Sequence, residues 1–288
     1  MDDFTKRLVH LHHCKGIGWK TIYHILKFDP ELKSLYYSSD ELYLKKHASI
    51  ATLTDLHSEV IHEQIQQYSR HGIRIITIFD DEYPALLKET FQPPWVIYAK
   101  GDITLLNKDN LLAVVGSRQY TEYGENAIKY ILPKLIEKEI VIVSGLAMGI
   151  DAIAHHTAIK SNGHTIGVIA GGLFHIYPKT NKGLADEMMK NQLIISEYTP
   201  HTKPDKWQFP LRNRIISGIS KGTFIVQAKS KSGSLITANF AVQEGREVFA
   251  LPGNIFSAYS TGTNELIQLG AKLVNNPEDI LEEFNILF

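Results

Sequence analysis

Three glycine-bearing turns are the residues of this 288-residue chain best suited to bind anionic oxygen. Each follows an apolar run typical of a buried strand, at 116–118, at 145–149 and at 171–172. The carboxyl ends of parallel strands meet at one edge of a sheet, where backbone N–H groups and helix dipoles favour negative charge. The spacing therefore predicts a phosphate-binding edge. The expected contacts there are Gly116, Ser117, Arg118, Gly145 and Gly149.

Arg118 is the first candidate for a side-chain contact at this edge. A guanidinium can hold a phosphate through two parallel N–H bonds. Serine is a common helix cap, so Ser117 is expected to cap the helix that follows. The alternative is an ordinary strand-to-helix turn with a surface arginine. The turns lack the Gly-x-Gly-x-x-Gly spacing of dinucleotide sites, and there is no Walker lysine. The sequence thus predicts no nicotinamide, ATP or other cofactor.

A second candidate segment combines aromatic rings with cations. Residues 207–214 carry two aromatic and two guanidinium side chains, among them Phe209 and Arg212, and Lys206 precedes them. Aromatic faces stack on unpaired bases while cations follow the backbone, as in single-strand binding sites. Buried aromatics beside a structural arginine would give the same pattern. Lys231 and Ser232, in a polar loop before a further helix, are additional candidates for polyanion contact.

Asp151 and His155 form the pair that most suggests catalysis or a metal. They lie four residues apart on an expected helix, so their side chains share one face. No third ligand with suitable spacing follows, and a helix-start aspartate that fixes the neighbouring loop is the favoured interpretation. The sequence therefore predicts neither a metal site nor an enzyme.

Composition restricts the class of protein further. Apolar residues make up 44% of the chain, which is enough for a large core. Cys14 is the only cysteine, so no internal disulfide can form, and the charged start of the chain has no apolar signal core. The apolar runs are much shorter than the roughly 20 residues of a membrane helix. We therefore expect a cytoplasmic protein without membrane association.

Charge is balanced overall but unevenly placed. The formal net charge is -1, unlike that of proteins that coat DNA by bulk attraction. Residues 201–247 carry eight basic and three acidic side chains, whereas residues 264–288 carry five acidic side chains and one lysine. A solvated surface could produce either count, but the contrast indicates a basic polyanion-binding face and a separate acidic face.

Residues 1–70 have apolar side chains at helical spacing, which predicts a small helical domain. The turn at 14–18 within it looks like a helix-hairpin-helix element, whose amides can contact a DNA phosphate; a plain interhelical turn is the alternative. Around Gly72 the periodicity becomes strand-like, and prolines 84, 93 and 94 mark a joint. Ile73–Phe79 and Val96–Ala99 are the strands expected there.

From Leu111 onward, strand patterns alternate with helical ones, which predicts an α/β fold with a doubly wound, mostly parallel sheet over residues 71–288. The expected strands are Leu111–Val115, Ile140–Val143, Thr165–Ile169, Leu193–Ile195, Phe224–Gln227, Val248–Leu251 and Lys272–Val274. The expected helices are Tyr123–Glu137, Gly149–Lys160, Lys182–Lys190, Leu211–Ser217, Leu235–Gln243 and Glu265–Leu269.

Seven motifs in order, between about Gly72 and Val274, together resemble the DNA-processing protein A family (DprA, also called Smf) of bacterial natural transformation. The motifs are Val115–Arg118, Ser144–Ala152, Gly171-Gly172 with Tyr177-Pro178 and Asn181, Phe209–Gly218, Lys231–Leu235, Leu251–Gly253 and Gly262–Asn264. The resemblance implies a Rossmann-like domain that binds single-stranded DNA without strong sequence preference. It further implies protection of incoming strands, loading of the recombinase RecA, and action as a dimer.

The resemblance also implies roles for particular residues. The family's DNA-pocket arginine and phenylalanine match Arg118 and Phe209, with Lys206 and Arg212 as neighbours, whereas Asn213 and Arg214 are expected to be structural. Dimer and RecA contacts are expected between about Asn254 and Leu269. Many members carry a further winged-helix domain, and we expect none here because few residues follow Val274.

The rival hypothesis is a nucleotide-processing enzyme, or a sensor of a nucleotide-derived ligand, on the same type of fold. The chain resembles the lysine-decarboxylase-like phosphoribohydrolases less well. Their Pro-Gly-Gly-x-Gly-Thr loop is matched only in scattered form, by Gly222-Thr223 and Pro252-Gly253-Asn254. Release of base from nucleoside monophosphates distinguishes this enzyme from a DNA-binding protein.

Overall fold

The computed structural model describes residues 1–37 and 54–286. Its N-terminal part is helical, as expected for residues 1–70, although residues 38–53 of that segment lie outside the described residues. Two of these helices have a capping side chain at the N-terminus. Asp2 accepts a hydrogen bond from the Thr5 N–H at 2.7 Å, and Ser58 accepts one from the Ile61 N–H at 3.5 Å. The helices are α1 (Asp3–His13), α2 (Trp19–Phe28), α3 (Lys33–Tyr37) and α4 (Glu59–Arg70).

The described residues form one sheet of nine strands. The strands are β1 (Ile73–Thr77), β2 (Val96–Gly101), β3 (Leu111–Val115), β4 (Val141–Ser144), β5 (Thr165–Val168), β6 (Leu193–Ser196), β7 (Gly222–Ile225), β8 (Glu247–Ala250) and β9 (Lys272–Leu273). The helices that follow α4 are α5 (Ala85–Lys88), α6 (Glu122–Glu137), α7 (Ile150–Lys160), α8 (Lys182–Asn191), α9 (Gln208–Gly218), α10 (Gly233–Gln243), α11 (Thr261–Gln268) and α12 (Glu278–Glu283). Short 3₁₀ turns occupy Ile103–Asn107 and Lys179–Asn181.

The strand order is β1-β2-β6-β5-β4-β3-β7-β8-β9. Strands β3 to β9 pair in parallel, while β2 pairs antiparallel with both β1 and β6. From β3 the chain winds to one side through β4, β5 and β6, and it then returns to β7 on the other side of β3. The direction of winding therefore reverses between β3 and β7, which is where doubly wound sheets bind ligands.

Both faces of the sheet are covered. Leu111, Ala113 and Val115 of β3 belong to a core shared with α9 and α10, whereas Leu112 and Val114 point to the opposite core with α6, α7 and α12. This alternation follows from the period of two in a strand, and burial on both sides explains the continuous apolar run. The predicted doubly wound, mostly parallel sheet is confirmed.

The N-terminal helices share a core with the sheet. Leu8 and Leu11 of α1 lie in one apolar cluster with Tyr98 of β2 and Met188 of α8. The division into domains at 1–70 and 71–288 stays a prediction. Across residues 1–37 and 54–286, no helix combines the length and the apolar content that a bilayer crossing requires.

Most predicted elements are present with bounds shifted by a few residues. The largest consequence concerns α9, which begins at Gln208 rather than at Leu211. Phe209 and Pro210 thus lie in the first helical turn, where proline is tolerated because its missing N–H has no intrahelical partner. Phe209 is therefore held by a helix and not by a loop. Likewise α11 begins four residues before the predicted Glu265.

Candidate nucleic-acid interface

A cleft of about 890 Å³ opens at the point where the winding reverses, above the carboxyl ends of β3 and β7. The turn after β3, the loop after β4, the first turn of α9 and the loop between β7 and α10 surround it. Predicted site residues among its lining are Gly116, Ser117, Arg118, Lys206, Phe209, Arg212, Lys231 and Ser232. The fold thus brings together residues from separate loops and from helix α9 at one site. The lining of this cleft does not include Gly145 and Gly149.

Arg118 and Phe209 face each other in the cleft. The guanidinium carbon of Arg118 lies 5.8 Å from the centre of the Phe209 ring, within the range of a cation–π interaction. Tyr177 contacts the same ring edge-on, with centroids 5.6 Å apart at 68°. Tyr177 is 52% exposed and Phe209 is half-buried, so aromatic surface remains accessible beside the guanidinium.

Further cations surround this aromatic pair. Lys206, Lys229 and Lys231 line the cleft and are exposed. The Lys229 ammonium lies 4.7 Å from the centre of the Tyr259 ring. With Arg118 this makes four exposed cationic side chains in the lining, and Arg212 is a fifth, buried one. Asp151 is the one carboxylate among the described lining residues, and it is buried, so the cleft favours anions.

Three amides of the predicted glycine turns have hydrogen-bond partners within the protein. The Ser117 N–H donates to the Gln227 carbonyl at 2.8 Å. The N–H groups of Gly145 and Ala147 donate to the Asp151 carboxylate at 3.2 and 3.3 Å. These three donors are therefore engaged within the protein, and anion contact by the glycine turns stays a prediction.

The expected helix cap at Ser117 is wrong. The helix α6 begins only at Glu122, after Thr121, and Ser117 Oγ instead accepts the Gln119 N–H at 3.2 Å. The serine closes the turn that presents Arg118, because a short hydroxyl side chain readily bonds a backbone N–H two residues onward.

The glycines at 116 and 149 allow the two loops to approach each other. Gly149 has φ +80°, and a Cβ there would lie less than 3 Å from the carbonyl oxygens of Ser117 and Arg118. A Cβ at Gly116 would collide in the same way with the Ile150 side chain. These glycines therefore position the Arg118 turn against the start of α7.

Arg212 is buried beneath the cleft and is only 5% exposed. Its guanidinium donates to the carbonyl oxygens of Gly145, which follows β4, and of Val168, the last residue of β5. Burial lowers its pKa to about 10, although nearby Asp151 opposes that change. Burial likewise raises the pKa of Asp151, against the opposing effect of Arg212. The geometry is that of a residue holding two loops together, and direct DNA contact by Arg212 stays a prediction.

The candidate catalytic pair is not assembled. Asp151 binds the loop amides, as the interpretation of a loop-fixing aspartate predicts, whereas His155 Nδ1 lies 2.7 Å from Thr165 Oγ1. Thr165 in turn donates to the Ile142 carbonyl, so it accepts from His155. Burial lowers the pKa of His155 to about 3, so this side chain is a neutral core histidine.

The two residues after Arg212 have structural contacts, in agreement with the expectation for them. Arg214 forms an ion pair of 2.6 Å with Glu197 and donates to the Gln92 carbonyl at 3.0 Å. Asn213 Nδ2 donates to the Gly233 carbonyl at 3.2 Å. These bonds tie α9 to the loop before β2 and to the start of α10.

Sequence reasoning missed Tyr177 and Lys229 as cleft residues. Lys229 follows β7 by a few residues, and its place after a strand at the ligand-binding edge is a usable signal. Tyr177 lies in the long connection between β5 and α8, where no periodic pattern in the sequence indicates which side chains face the cleft. Asn181 supports that region by donating to the Leu146 and Ala147 carbonyls at 2.9 and 3.0 Å.

The doubly wound sheet, with its basic and aromatic cleft at the switch point, defines a Rossmann-like α/β protein. A profile of the family described as DNA recombination-mediator protein A matches residues 74–285, and the chain belongs to that family. The resemblance inferred from the seven motifs is thereby confirmed.

Individual relatives agree with this assignment. The chain is 52% identical over 216 residues to DNA processing protein DprA of Bacillus subtilis, covering 75% of this chain and 73% of that protein. It is 47% identical over 208 residues to its counterpart from Streptococcus pneumoniae, covering 72% and 73%.

Solved structures are also similar. DprA of Streptococcus pneumoniae superposes with a TM-score of 0.84 at 35% identity, covering 98% of both chains. DNA processing protein A of Helicobacter pylori, whose structure is described as giving insight into a unique single-stranded DNA binding mode, superposes with a TM-score of 0.67 at 31% identity. That match covers 74% of this chain and 95% of the other.

Proposed function

We propose that the cleft binds single-stranded DNA and that the chain thereby acts as a recombination mediator that protects incoming strands and loads RecA during natural transformation. The observation that carries the proposal is the Arg118 guanidinium lying over the Phe209 ring inside a basic cleft at the switch point. The family membership and the single-strand binding described for the Helicobacter pylori relative support it.

Binding follows from two kinds of contact. Arg118, Lys206, Lys229 and Lys231 hold successive phosphates, and Phe209 stacks on a base. Neither contact reads base edges, so affinity varies little with sequence. A duplex keeps its bases paired and stacked, so its base faces do not reach Phe209 and the cleft prefers single strands.

The glycine and serine residues of the site have supporting roles in this mechanism. Gly116, Gly145 and Gly149 let neighbouring groups approach where a Cβ would collide with them. Ser117 presents Arg118, and Ser232, whose Oγ lies 2.5 Å from Ser234 Oγ, shapes the loop that carries Lys231. Arg212 bonds the Gly145 and Val168 carbonyls and so fixes α9, the helix that also carries Phe209.

The test compares Arg118→Ala with Arg70→Ala, an exposed arginine at the end of α4. Fluorescence anisotropy with labelled oligo-dT is recorded over a salt titration. We expect Arg118→Ala to weaken binding to all sequences and to reduce the slope of log affinity against log salt by about 0.7, since one phosphate contact is lost. Unchanged affinity of Arg118→Ala, or tighter binding of duplex than of single strand by the wild type, contradicts the proposal.

We also propose a homodimer formed through the segment from Asn254 to Leu269. Three apolar side chains of this segment are strongly exposed, namely Ile255 at 77%, Phe256 at 92% and Leu269 at 84%. Burying them against a second copy removes apolar surface from water. Light scattering of Phe256→Lys/Leu269→Lys is expected to give a monomer, with Val242→Lys as a control at an exposed apolar residue of α10. A dimer that persists in the double variant contradicts this interface.

RecA loading is tested with single-stranded DNA covered by a single-strand binding protein. We expect wild-type protein to accelerate assembly of the RecA filament, and Arg118→Ala to lose the acceleration together with DNA binding. If wild-type protein binds DNA tightly but does not accelerate filament assembly, the proposed RecA loading is contradicted and strand protection remains as the proposed function.

The rival function, a nucleotide-processing enzyme, needs a catalytic carboxylate in the cleft. Asp151, the carboxylate present among the described lining residues, is buried and accepts two amide bonds. This favours the DNA-binding proposal. Incubation with nucleoside monophosphates tests the rival, because release of free base by the purified protein would establish the enzyme and no release is expected.

A further inference from the structure

Four aromatic rings outside the cleft form a stack that joins α2 to the sheet. The Trp19 ring lies 5.3 Å from Tyr23 at 14° and 5.3 Å from Trp95 at 25°, and Trp95 lies 6.3 Å from Phe79 at 25°. Trp19 Nε1 donates to the Pro93 carbonyl at 2.7 Å, and Trp95 Nε1 donates to the Trp19 carbonyl at 3.1 Å. The two indoles thus fix α2 to the segment before β2.

The outer surface of α2 is aromatic and cationic. Tyr23 ends the stack and is 46% exposed, and the His24 ring lies 5.7 Å from it at 69°. Lys20 and Lys27, three residues before and four residues after Tyr23, are exposed on the adjoining helix surface. No acidic residue occurs between Trp19 and Phe28. We call Lys20, Tyr23 and Lys27 the α2 surface.

The α2 surface lies at the same edge of the sheet as the cleft. Since β2 runs antiparallel to β6, the start of β2 is beside the carboxyl ends of the parallel strands. Trp95 immediately precedes β2, and Thr77, which ends β1, pairs with Val96. Phe79 therefore belongs to this edge as well. Four strand spacings separate β2 from β3, which places the stack roughly 20 Å from the Arg118 turn.

The two regions are connected rigidly. Arg214 of α9, the helix that carries Phe209, bonds both Glu197 and the carbonyl of Gln92, three residues before Trp95. The distance from the cleft to the aromatic stack is consequently fixed by bonded elements of the fold.

We propose that the α2 surface is a second contact for the DNA strand held in the cleft, so that the strand runs along the carboxyl edge of the sheet. The inference rests on the proposed function. A polyanion with unpaired bases fits the surface, because Lys20 and Lys27 complement phosphates and an exposed ring at the end of a stack accepts a base on its face. A short strand occupies the cleft alone, and a longer strand reaches both contacts.

The test uses Lys20→Ala/Tyr23→Ala/Lys27→Ala, which leaves both indoles in place. The control is Tyr130→Ala/Lys160→Ala/Lys190→Ala, which removes the same residue types from exposed positions on α6, α7 and α8. Affinities are measured for oligo-dT of about 4 and about 20 nucleotides, lengths at the lower end of and beyond common single-strand sites. Thermal unfolding of each variant is recorded as well.

We expect the α2 variant to bind the long strand at least about 10-fold more weakly, with a salt slope smaller by about 1.4, and to bind the short strand like wild type. The control keeps both affinities. Should the triple variant unfold, Lys20→Glu/Lys27→Glu keeps all four rings and is expected to weaken long-strand binding in the same way.

The outcomes separate the two proposals. An unchanged affinity for the long strand, or an equal loss at both lengths in a folded variant, overturns the second contact. Failure of wild-type protein to bind either strand contradicts the proposed function itself.

Discussion

The guanidinium of Arg118 lies over the ring of Phe209 at 5.8 Å, although Arg118 is in the turn after β3 and Phe209 is in the first turn of α9. The fold thus holds the charge and the ring face beside each other. Side chains that are held in place by the fold lose less conformational entropy on binding. This relationship makes the cleft the place where substitutions should most affect DNA affinity.

Replacing the ring of Phe209 should weaken DNA binding without unfolding the protein. We expect Phe209→Ala to lower the affinity for oligo-dT by roughly 10-fold, since stacking on one base contributes about 1–3 kcal/mol. Phe209→Trp should retain most of the affinity because it keeps an aromatic face. Anisotropy measures both variants, with Phe91→Ala, an exposed phenylalanine outside the cleft lining, as the control. Equal affinities of Phe209→Ala and wild type would exclude stacking at this ring.

A side chain at Gly149 should disturb the Arg118 turn. The positive φ and the nearby carbonyl oxygens of Ser117 and Arg118 leave no room for a Cβ, so Gly149→Ala should destabilise the fold by about 1–3 kcal/mol and reduce DNA affinity. Gly183→Ala is the matched control, since this residue is helical and a Cβ on it would meet no neighbouring group within 4 Å. Urea unfolding of the two variants measures the difference, and similar midpoints would argue against loop crowding.

Removing the buried charge of Arg212 should be costly because Asp151 would lose its neighbouring cation. We expect Arg212→Met to reduce the free energy of unfolding by about 3–5 kcal/mol, and Asp151→Asn/Arg212→Met to reduce it by less than the two single changes together. A double-mutant cycle by urea unfolding measures this coupling. Strictly additive effects would show that the two charges act independently.

Acid should destabilise the protein through two histidines between α1 and the sheet. Burial lowers the pKa of His12 to about 3 and that of His13 to about 4. His12 Nδ1 lies 3.2 Å from the Tyr98 hydroxyl, and His13 Nε2 lies 3.0 Å from the Tyr68 hydroxyl while its Nδ1 donates to a backbone carbonyl. Both rings are therefore neutral in the folded state at neutral pH.

The unfolded chain takes up these protons near pH 6.5, so the stabilisation is complete above that pH and is lost as the pH falls toward 4. Each histidine contributes a loss of at most about 1.4 kcal/mol per pH unit. Thermal unfolding between pH 7.5 and pH 4.5 measures the effect. His12→Gln/His13→Gln should flatten the pH dependence, whereas an unchanged profile would assign it to other groups.

The sheet and the place of the site were predictable because their signals are local. Buried parallel strands leave continuous apolar runs, as in β3, and glycine turns after such runs must meet at one edge. Arg118 and Phe209 were recognised from their positions after a strand and beside a cationic run. The burial of Arg212 was not predictable, since an arginine within residues 207–214 can face either the solvent or the protein interior.

The sequence by itself determined the alternation of strands and helices, the family motifs and the clustering of basic residues before Glu247, because periodicity and composition act over short stretches of chain. Tertiary structure alone decided which donors remain for a ligand and which rings meet. The Ser117 amide donates to the carbonyl of Gln227, which is distant in sequence, and the Gly145 amide donates to the Asp151 carboxylate. Trp19 stacks on Trp95, so the N-terminal helices contact the segment before β2. Such pairings depend on packing between distant segments, which no local pattern records.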